Sequence, residues 1–337
     1  MPKMSIAEAL REAIREEMQR DERVFCIGED IGIEGGFGGA FTVTLNLSKE
    51  FGHERILDTP ISEAGIAGIA IGAAIGGMRP IADVQYSDFL FNMMDQLANE
   101  AAKLRYMSAG TLSVPMVMRA PVGATARGAQ HAQSPEAFFT HVPGLKVVCP
   151  STAYDAKGLL KSAIRDDNPV LVFEHKLLYG SKGPRTEKGA LSPVGEVPEE
   201  EYTVPIGKGI IRRPGKDITI VANLLMVYRS LAAAESLAQQ GIEAEVIDPR
   251  SLVPLDEELI LESVMKTGRL LIVEEDNLTN GWGAEVAARM ADKAFVWLDA
   301  PIKRVAAPDV PPPFAPVLER EYLPGEQKIV DTALAMF

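Results

Sequence analysis

The sequence is poor in cysteine and has neither a long apolar run nor a block of basic residues. Its two cysteines, Cys26 and Cys149, lie among apolar neighbours, which favours core packing over a disulfide or a cysteine metal site. The longest apolar run, 64–78, is shorter than the roughly 18 residues that a membrane span needs. The start, "MPKMSIAEALREAIREEMQ", lacks the apolar segment of a signal peptide and is too acidic for a transit peptide. We therefore expect a cytoplasmic protein.

Positive charge is also scarce, since 34 lysines and arginines stand against 47 aspartates and glutamates, a formal net charge of -13. This balance argues against a nucleic-acid partner and against an anionic membrane, because both attract basic patches. The 337 residues are 47% hydrophobic, enough to bury sizeable cores. At about 150 residues per domain, this length predicts two domains.

Short β-rich runs alternate with helical patterns along most of the chain, which predicts an α/β fold. The first stretch, 1–180, is expected to form a doubly wound, mainly parallel sheet. The segment 181–205 is rich in glycine, proline and charge and is interpreted as a linker. The alternation resumes in 206–337, which predicts a second, smaller α/β domain.

The stretch "TPISEAGIAGIAIGAAIGG", 59–77, is nearly all apolar but carries one carboxylate near its head. Ser62 is a candidate N-cap, and Glu63 in the first helical turn could simply complement the helix dipole. Three glycines follow four residues apart, at Gly68, Gly72 and Gly76. Because each costs roughly 0.5–1 kcal/mol relative to alanine, one face full of glycine predicts close approach of another backbone. Glycines in the helix body also speak against a dinucleotide-binding loop, whose glycines precede the helix.

Several longer segments carry a family resemblance: "DTPISEAGIAGIAIGAAIGGMRPIADVQYSDF", "AQHAQSPEAFFTH", "AEVIDPRSLVPLDEE" and "DAPIKRVAAPDVPPPFAPVLEREYLP". They resemble the beta subunit of thiamine-diphosphate-dependent 2-oxo acid dehydrogenases. These are the decarboxylating components of pyruvate, branched-chain 2-oxo acid and acetoin dehydrogenase complexes. The resemblance covers essentially the whole chain. It implies a thiamine-diphosphate-binding domain in 1–180 and a transketolase-C-terminal-like domain in 206–337.

The resemblance implies that Glu63 hydrogen-bonds the aminopyrimidine ring of thiamine diphosphate. A carboxylic acid there stabilises the imino tautomer, whose nitrogen takes the proton of the thiazolium carbon, and a dry pocket strengthens the interaction. By the same correspondence, Gln85 and Phe89 line the aminopyrimidine site and Ile61 packs against the ring. Phe89 would stack on it, although an ordinary core position also accounts for this phenylalanine.

His131 lies in the loop before "SPEAFF", where Ser134 and Pro135 are typical of a helix start. A lone loop histidine usually has no special role, but this one matches the active-site histidine of the family. The resemblance implies that it orients the 2-oxo acid and the covalent intermediate and assists proton transfer to a lipoyl group.

The segment "AIRDDNP" resembles one that binds a structural potassium ion in some relatives. The resemblance implies oxygen ligands, mostly backbone carbonyls, from Met116, Ala163, Ile164, Asp166 and Asn168. The alternative is an ordinary helix C-terminus followed by a turn.

The motif "GDG", which in the family precedes the asparagine of the diphosphate and magnesium site, does not occur in this sequence. The resemblance therefore implies that Mg²⁺ and the diphosphate are held mainly by an alpha subunit, in an α2β2 heterotetramer. In some relatives the C-terminal domain, which here ends at Phe337, docks the dihydrolipoyl acyltransferase core.

The function that the resemblance implies is oxidative decarboxylation with transfer of the acyl group to a lipoyl arm. Pyruvate or acetoin is the favoured substrate, and a branched-chain 2-oxo acid is the alternative. Two other hypotheses remain open at this point. One is a self-sufficient transketolase-like enzyme, and the other is an assembly subunit without a catalytic role.

Overall fold

The computed structural model describes residues 1–180, 191 and 193–337 and divides into two compact units. Unit 1 comprises Met1–Val122 and Phe138–Ile206, and unit 2 comprises Gly123–Ala137 and Gly207–Phe337. Of the predicted linker, residues 181–190 and 192 lie outside the described residues, and its later part contains a short strand, Val194–Glu196. The grouping of 123–137 with unit 2 has no counterpart in the predicted boundaries.

The elements of unit 1 are β1 (Lys3–Ser5), α1 (Ile6–Arg20), β2 (Val24–Gly28), α2 (Leu47–Phe51), β3 (Ile56–Asp58), α3 (Glu63–Ile75), β4 (Arg79–Asp83), α4 (Leu104–Met107), β5 (Val117–Val122), α5 (Glu136–Thr140), β6 (Lys146–Val148), α6 (Ala153–Arg165), β7 (Val170–His175) and β8 (Val194–Glu196). Helix α5 begins at the end of the segment 123–137 and continues into unit 1.

Six strands of unit 1 form a parallel sheet in the order β6-β7-β5-β4-β2-β3. Its central strands β2, β5 and β7 are buried at every residue, as expected for a parallel sheet covered on both faces. Helix α1 starts with a capping box, in which the Ser5 hydroxyl accepts from the Glu8 backbone and the Glu8 carboxylate accepts from the Ser5 backbone. Helix α1 packs closely on α6.

The elements of unit 2 are β9 (Ile210–Arg213), β10 (Ile218–Ala222), α7 (Leu224–Ala238), β11 (Ala244–Asp248), β12 (Ser251–Val253), α8 (Glu257–Thr267), β13 (Leu270–Asn277), α9 (Trp282–Lys293), β14 (Lys303–Ala307), α10 (Pro316–Tyr322) and α11 (Glu326–Leu334). Its five-stranded sheet has the order β14-β13-β10-β11-β9, and only the pairing of β9 with β11 is antiparallel. The two mainly parallel sheets confirm the predicted α/β fold class.

One predicted helix is interrupted. The sequence pattern of 89–107 predicts a single helix, whereas the structure has a 3₁₀ segment (Ser87–Met93), a π-helical segment (Asp95–Ala101) and α4. Apolar side chains are buried along it at helical spacing, at Leu90, Met93, Leu97 and Ala101. Apolar periodicity reports which face is buried, but it does not distinguish 3₁₀, α and π hydrogen bonding.

Candidate active site

Glu63 is the first residue of α3, as the sequence predicted, and its side chain is half-buried. Ser62 occupies the N-cap position but makes no side-chain capping hydrogen bond, so the helix start depends on other interactions. Just before it, Ile61 is 74% exposed. A carboxylate and a large apolar side chain therefore stand together at the surface where α3 begins.

The two sides of α3 differ in burial. One side is packed inside unit 1 through Ile66, Ala67, Ala70, Ile71 and Ala74. The other side is open, and it carries exposed Gly68, Gly72 and Gly76 beside exposed Ile69 and Ile75. A Cβ atom built at Gly68 or Gly72 would meet no atom within 4 Å. Nothing described within this chain therefore requires glycine at these two positions.

Gln85 and Glu63 are linked through Glu29, which follows β2. The Gln85 Nε2 donates to the backbone carbonyl of Glu29 at 2.7 Å. Burial, with smaller effects from Asp30 and Glu63, raises the pKa of the Glu29 carboxyl. The structure therefore places Gln85 and Glu63 around the same loop, and it adds a second carboxylate that the sequence did not single out.

Phe89 belongs to a connected group of aromatic rings. Its ring meets Tyr86 edge-on, with centroids 5.9 Å apart, and Tyr86 meets Phe41 edge-on at 6.0 Å. Phe41 in turn stacks on Tyr179 at 4.7 Å, and the Lys176 ammonium lies 4.9 Å from the Tyr86 ring centroid. These contacts restrict the orientation of Phe89.

A buried charge network lies beneath this group. The Arg119 guanidinium, on β5, donates to both carboxylate oxygens of Glu174 on β7, at 2.9 and 2.6 Å, and also pairs with Asp83 at the end of β4. Tyr179 donates its hydroxyl to Glu174 at 2.6 Å. Burial raises the pKa of Asp83 to about 6 despite the nearby arginine. The network links three adjacent strands at the edge from which Gln85 extends.

His131 lies in the segment 123–137, which packs with unit 2, whereas the other predicted catalytic and cofactor residues lie in unit 1. The histidine is half-buried, and its backbone N–H donates to the Gly128 carbonyl at 3.2 Å. It precedes α5, as expected from the sequence.

The residues predicted to bind potassium lie together around the C-terminus of α6 and the start of β7. Arg79 Nη1 donates to the carbonyls of Ile164 and Asp166, at 2.9 and 3.0 Å. Burial of the Asp166 carboxyl opposes its ionisation, but hydrogen bonds from Lys146 and Asn168 outweigh this and lower its pKa. A guanidinium thus already contacts two of the expected carbonyl ligands.

Of the three remaining predicted ligands, Met116 and Ala163 have backbone partners at their carbonyls. Met116 accepts from the Val170 N–H at 3.0 Å, and Ala163 accepts from the Asp166 N–H at 3.3 Å. Each carbonyl oxygen retains a second lone pair. A cation at this position would have to use these second lone pairs, in competition with Arg79.

The described residues also bear on metal binding and on membrane spanning. Among them, no group of three or more histidine, cysteine, aspartate or glutamate side chains is arranged to hold a metal ion. None of the helices in the described ranges has the length and apolar character needed to cross a bilayer.

Comparison with known proteins gives both units a family. Residues 2–182 match the family "Transketolase, pyrimidine binding domain", and residues 207–329 match "Transketolase, C-terminal domain". The 2-oxoisovalerate dehydrogenase subunit beta of Bacillus subtilis (strain 168) is 48% identical over 331 residues, 98% of this chain and 97% of that protein. The chain belongs to the beta subunits of 2-oxo acid dehydrogenase complexes.

Other members of this beta-subunit family are similar to the chain by nearly the same amount. The acetoin:2,6-dichlorophenolindophenol oxidoreductase subunit beta of B. subtilis is 47% identical, over 99% of this chain and 97% of that protein. The pyruvate dehydrogenase E1 component subunit beta of Rhizobium meliloti (strain 1021) is 46% identical, over 100% of this chain and 70% of that protein. Sequence identity therefore does not indicate which of the three substrates in these names this chain acts on.

A solved structure confirms the transketolase-like fold. The chain described as "Split gene transketolase, inactive beta4 tetramer" superimposes with a TM-score of 0.78 and 23% identity, covering 99% of this chain and 98% of that one. At this identity, the likeness supports the fold alone.

Sequence reasoning did not identify the Arg119 network or the second carboxylate at Glu29. A signal for the first was present, because Arg119 and Glu174 are single charged residues inside fully buried strands. A buried charge is rarely tolerated without a partner, so the two could have been paired. For Glu29, the loop after β2 offers no comparable signal.

Proposed function

We propose that this beta subunit holds the aminopyrimidine half of thiamine diphosphate and acts in the oxidative decarboxylation of a 2-oxo acid, or in the corresponding cleavage of acetoin, which releases acetaldehyde instead of carbon dioxide. The observation that carries the proposal is the position of Glu63. Its half-buried carboxylate lies at the first turn of α3, on the same loop system as Gln85, beside an open apolar face. Bound thiamine diphosphate supplies the electron sink that decarboxylation requires.

In this proposal the residues of the chain bind the cofactor and orient the substrate. Glu63 would hydrogen-bond a ring nitrogen of the aminopyrimidine through its carboxyl group, and Ile61 and Phe89 would contact the faces of the ring. Gln85, whose Nε2 donates to the Glu29 carbonyl, would line the same aminopyrimidine site. His131 orients the 2-oxo acid and transfers a proton during acyl transfer to a lipoyl group.

The second half of the site is proposed to come from an alpha subunit in an α2β2 heterotetramer. Two features support this partner: the missing "GDG" motif, which leaves Mg²⁺ and the diphosphate to another chain, and the open face of α3. Since Glu63 is only half-buried, a second chain would also supply the dry surroundings that a proton-holding carboxyl needs. The proposed location is the cytoplasm.

The experiment compares four preparations: the chain alone, the chain with its alpha subunit, and the same pair carrying Glu63→Ala or the exposed control Glu22→Ala. We expect decarboxylation only with the alpha subunit, a loss of roughly 10²-fold or more for Glu63→Ala, and no change for the control. Activity of the chain alone would favour a self-sufficient transketolase-like enzyme. Full activity of Glu63→Ala would leave only an assembly role.

Pyruvate or acetoin is the proposed substrate, and a branched-chain 2-oxo acid is the alternative. The relatives named for these substrates are 46–48% identical to the chain. This similarity supports a substrate among these small keto compounds, but it does not favour one of them. Turnover of the reconstituted complex on pyruvate, acetoin and 3-methyl-2-oxobutanoate tests the choice. A methylene difference gives roughly 10- to 200-fold discrimination in a fitted pocket.

We also propose that potassium binds as a structural ion at the carbonyls near Asp166. The test is the midpoint of thermal unfolding in equal concentrations of KCl and NaCl. A higher Tm in KCl supports the ion, and equal values in both salts would mean that no potassium ion binds there.

The C-terminal end of unit 2 is proposed to dock the dihydrolipoyl acyltransferase core. Phe337 is 57% exposed, and its ring lies 4.2 Å below the Arg269 guanidinium carbon. Deleting Phe337 should weaken binding of the acyltransferase core without lowering decarboxylation. Unchanged binding would place the docking surface elsewhere.

A further inference from the structure

The segment 123–137, called here the histidine loop because it carries His131, closes on itself within unit 2. At its neck, the Gly123 N–H donates to the Gln133 carbonyl at 3.1 Å. Near its tip, the His131 N–H donates to the Gly128 carbonyl at 3.2 Å, which forms a tight turn just before the histidine. Compact loops whose ends lie together are frequently functional.

Two buried carboxylates hold the backbone of the loop. The Ala124 N–H donates to Oε1 of Glu275 at 2.6 Å, and the Ala126 N–H donates to Oε1 of Glu319 at 2.6 Å. The two glutamates are only 7% and 9% exposed. Carboxylates are stronger acceptors for a backbone N–H than neutral oxygens. Because a buried N–H without an acceptor is costly, each glutamate fixes the stretch of backbone that it contacts.

The backbone between these contacts and His131 has an unusual conformation. Ala126 has a φ of 56°, in the left-handed region that alanine rarely adopts. Gly128 has a φ of 78°, and a Cβ atom built there would lie 3.2 Å from the ring of Phe314, just before α10. A non-glycine residue keeps such an angle only where its surroundings determine it. At Ala126, the hydrogen bond to Glu319 on α10 is one such constraint.

These contacts lie at the edge of the unit 2 sheet where ligands commonly bind. The chain passes from β10 to its neighbour β11, and then through α8 to β13 on the other side of β10. Open α/β sheets bind ligands outside the carboxyl ends of the strands at such a reversal. Glu275 lies near the carboxyl end of β13. An apolar cluster joins the loop to the last residue of β14 and the end of α10: Ala124, Ala132, Ala307, Tyr322 and Leu323.

We propose that unit 2 uses this edge of its sheet to hold the histidine loop, and that Glu275 and Glu319 are positioning residues that set the place of His131. They contact the backbone of the loop, so they act on the reaction through the histidine. The holding of the loop needs only the contacts within unit 2, whereas its consequence for turnover rests on the proposed function.

The first experiment uses the full chain and three substitutions on α10. Glu319→Met removes the acceptor and keeps the length of the side chain, Glu319→Gln keeps an acceptor oxygen, and Glu321→Met is the exposed control. Hydrogen exchange of peptides covering 123–133 should be roughly 5- to 150-fold faster in Glu319→Met. It should be intermediate in Glu319→Gln and unchanged in the control.

The same samples report on the histidine itself. Diethylpyrocarbonate labelling, followed by mass spectrometry, compares His131 with the exposed His53 in unit 1. Glu319→Met should raise the relative labelling rate of His131. Wild-type exchange and labelling in this variant would overturn the proposal. Glu275→Met provides a second variant if Glu319→Met folds poorly, and it should show the same two changes.

The second experiment uses the complex reconstituted with the alpha subunit. Glu319→Met should lower kcat roughly 10- to 100-fold, whereas the thiazolium carbon of bound thiamine diphosphate should exchange its proton at the wild-type rate. A parallel fall of both rates, or a loosened loop with unchanged kcat, would overturn the positioning role. A wild-type complex without turnover, with the expected exchange and labelling in the variants, would refute the proposed function but not the held loop.

Discussion

The double substitution of Gly68 and Gly72 by alanine on the open face of α3 should affect stability and assembly in opposite directions. Each glycine lies in the helix with open space at its Cβ position and no strained backbone angle. Replacing both should stabilise the isolated chain by about 1–2 kcal/mol, since each alanine restricts the unfolded chain and favours the helix. The measurement is urea unfolding of the isolated chain.

The same double variant should bind the alpha subunit less tightly. If another backbone lies against the two glycines, two added methyl groups overpack the interface and cost about 1–3 kcal/mol. This corresponds to a dissociation constant roughly 5- to 150-fold higher. Sedimentation or calorimetric titration of the alpha subunit into the wild-type and variant chains measures the difference.

The control is Gly325→Ala, which also has open space at Cβ but lies before α11 in unit 2. It should leave assembly unchanged. Unaltered binding of Gly68→Ala/Gly72→Ala would refute the interface on α3. Weakened self-association with normal alpha binding would instead assign the face to a second copy of this chain.

The remaining predictions concern stability. Arg119→Met leaves the buried Glu174 and Asp83 without their cation and should cost about 3–5 kcal/mol in urea unfolding. The exposed control Arg23→Met should leave the free energy of unfolding nearly unchanged, and equal effects of the two substitutions would contradict the importance of the buried network. Ser5→Ala removes the capping box of α1 and should cost about 1 kcal/mol. An unchanged unfolding midpoint would mean that tertiary packing alone fixes this helix end.

The sequence predicted the fold class well, because strand and helix periodicity are local properties. The S-x-x-E pattern at Ser5 predicts a capping box, the apolar run "VFCIG" predicts strand β2, and Ser62 predicts the start of α3, and the structure has all three. The interruption of the helix at 87–107 was not predicted, because whether a turn has 3₁₀, α or π hydrogen bonding depends on packing.

The site was predicted less completely. Glu63, Gln85 and Phe89 were singled out through family resemblance, and spacing alone did not distinguish Glu63 from an ordinary helix-start carboxylate. The contacts of Glu29, of Arg119 and of the segment 123–137 join residues that are distant in sequence. Such contacts depend on topology, and one sequence does not reveal them.

The central claim is that Glu63 activates a cofactor shared with an alpha subunit. The most direct measurement is the rate at which the thiazolium carbon of bound thiamine diphosphate exchanges its proton for deuterium. It compares reconstituted wild type, Glu63→Gln and the control Glu22→Gln at matched cofactor occupancy. We expect an exchange rate roughly 10²-fold or more lower for Glu63→Gln alone. An unchanged rate in this variant would contradict it.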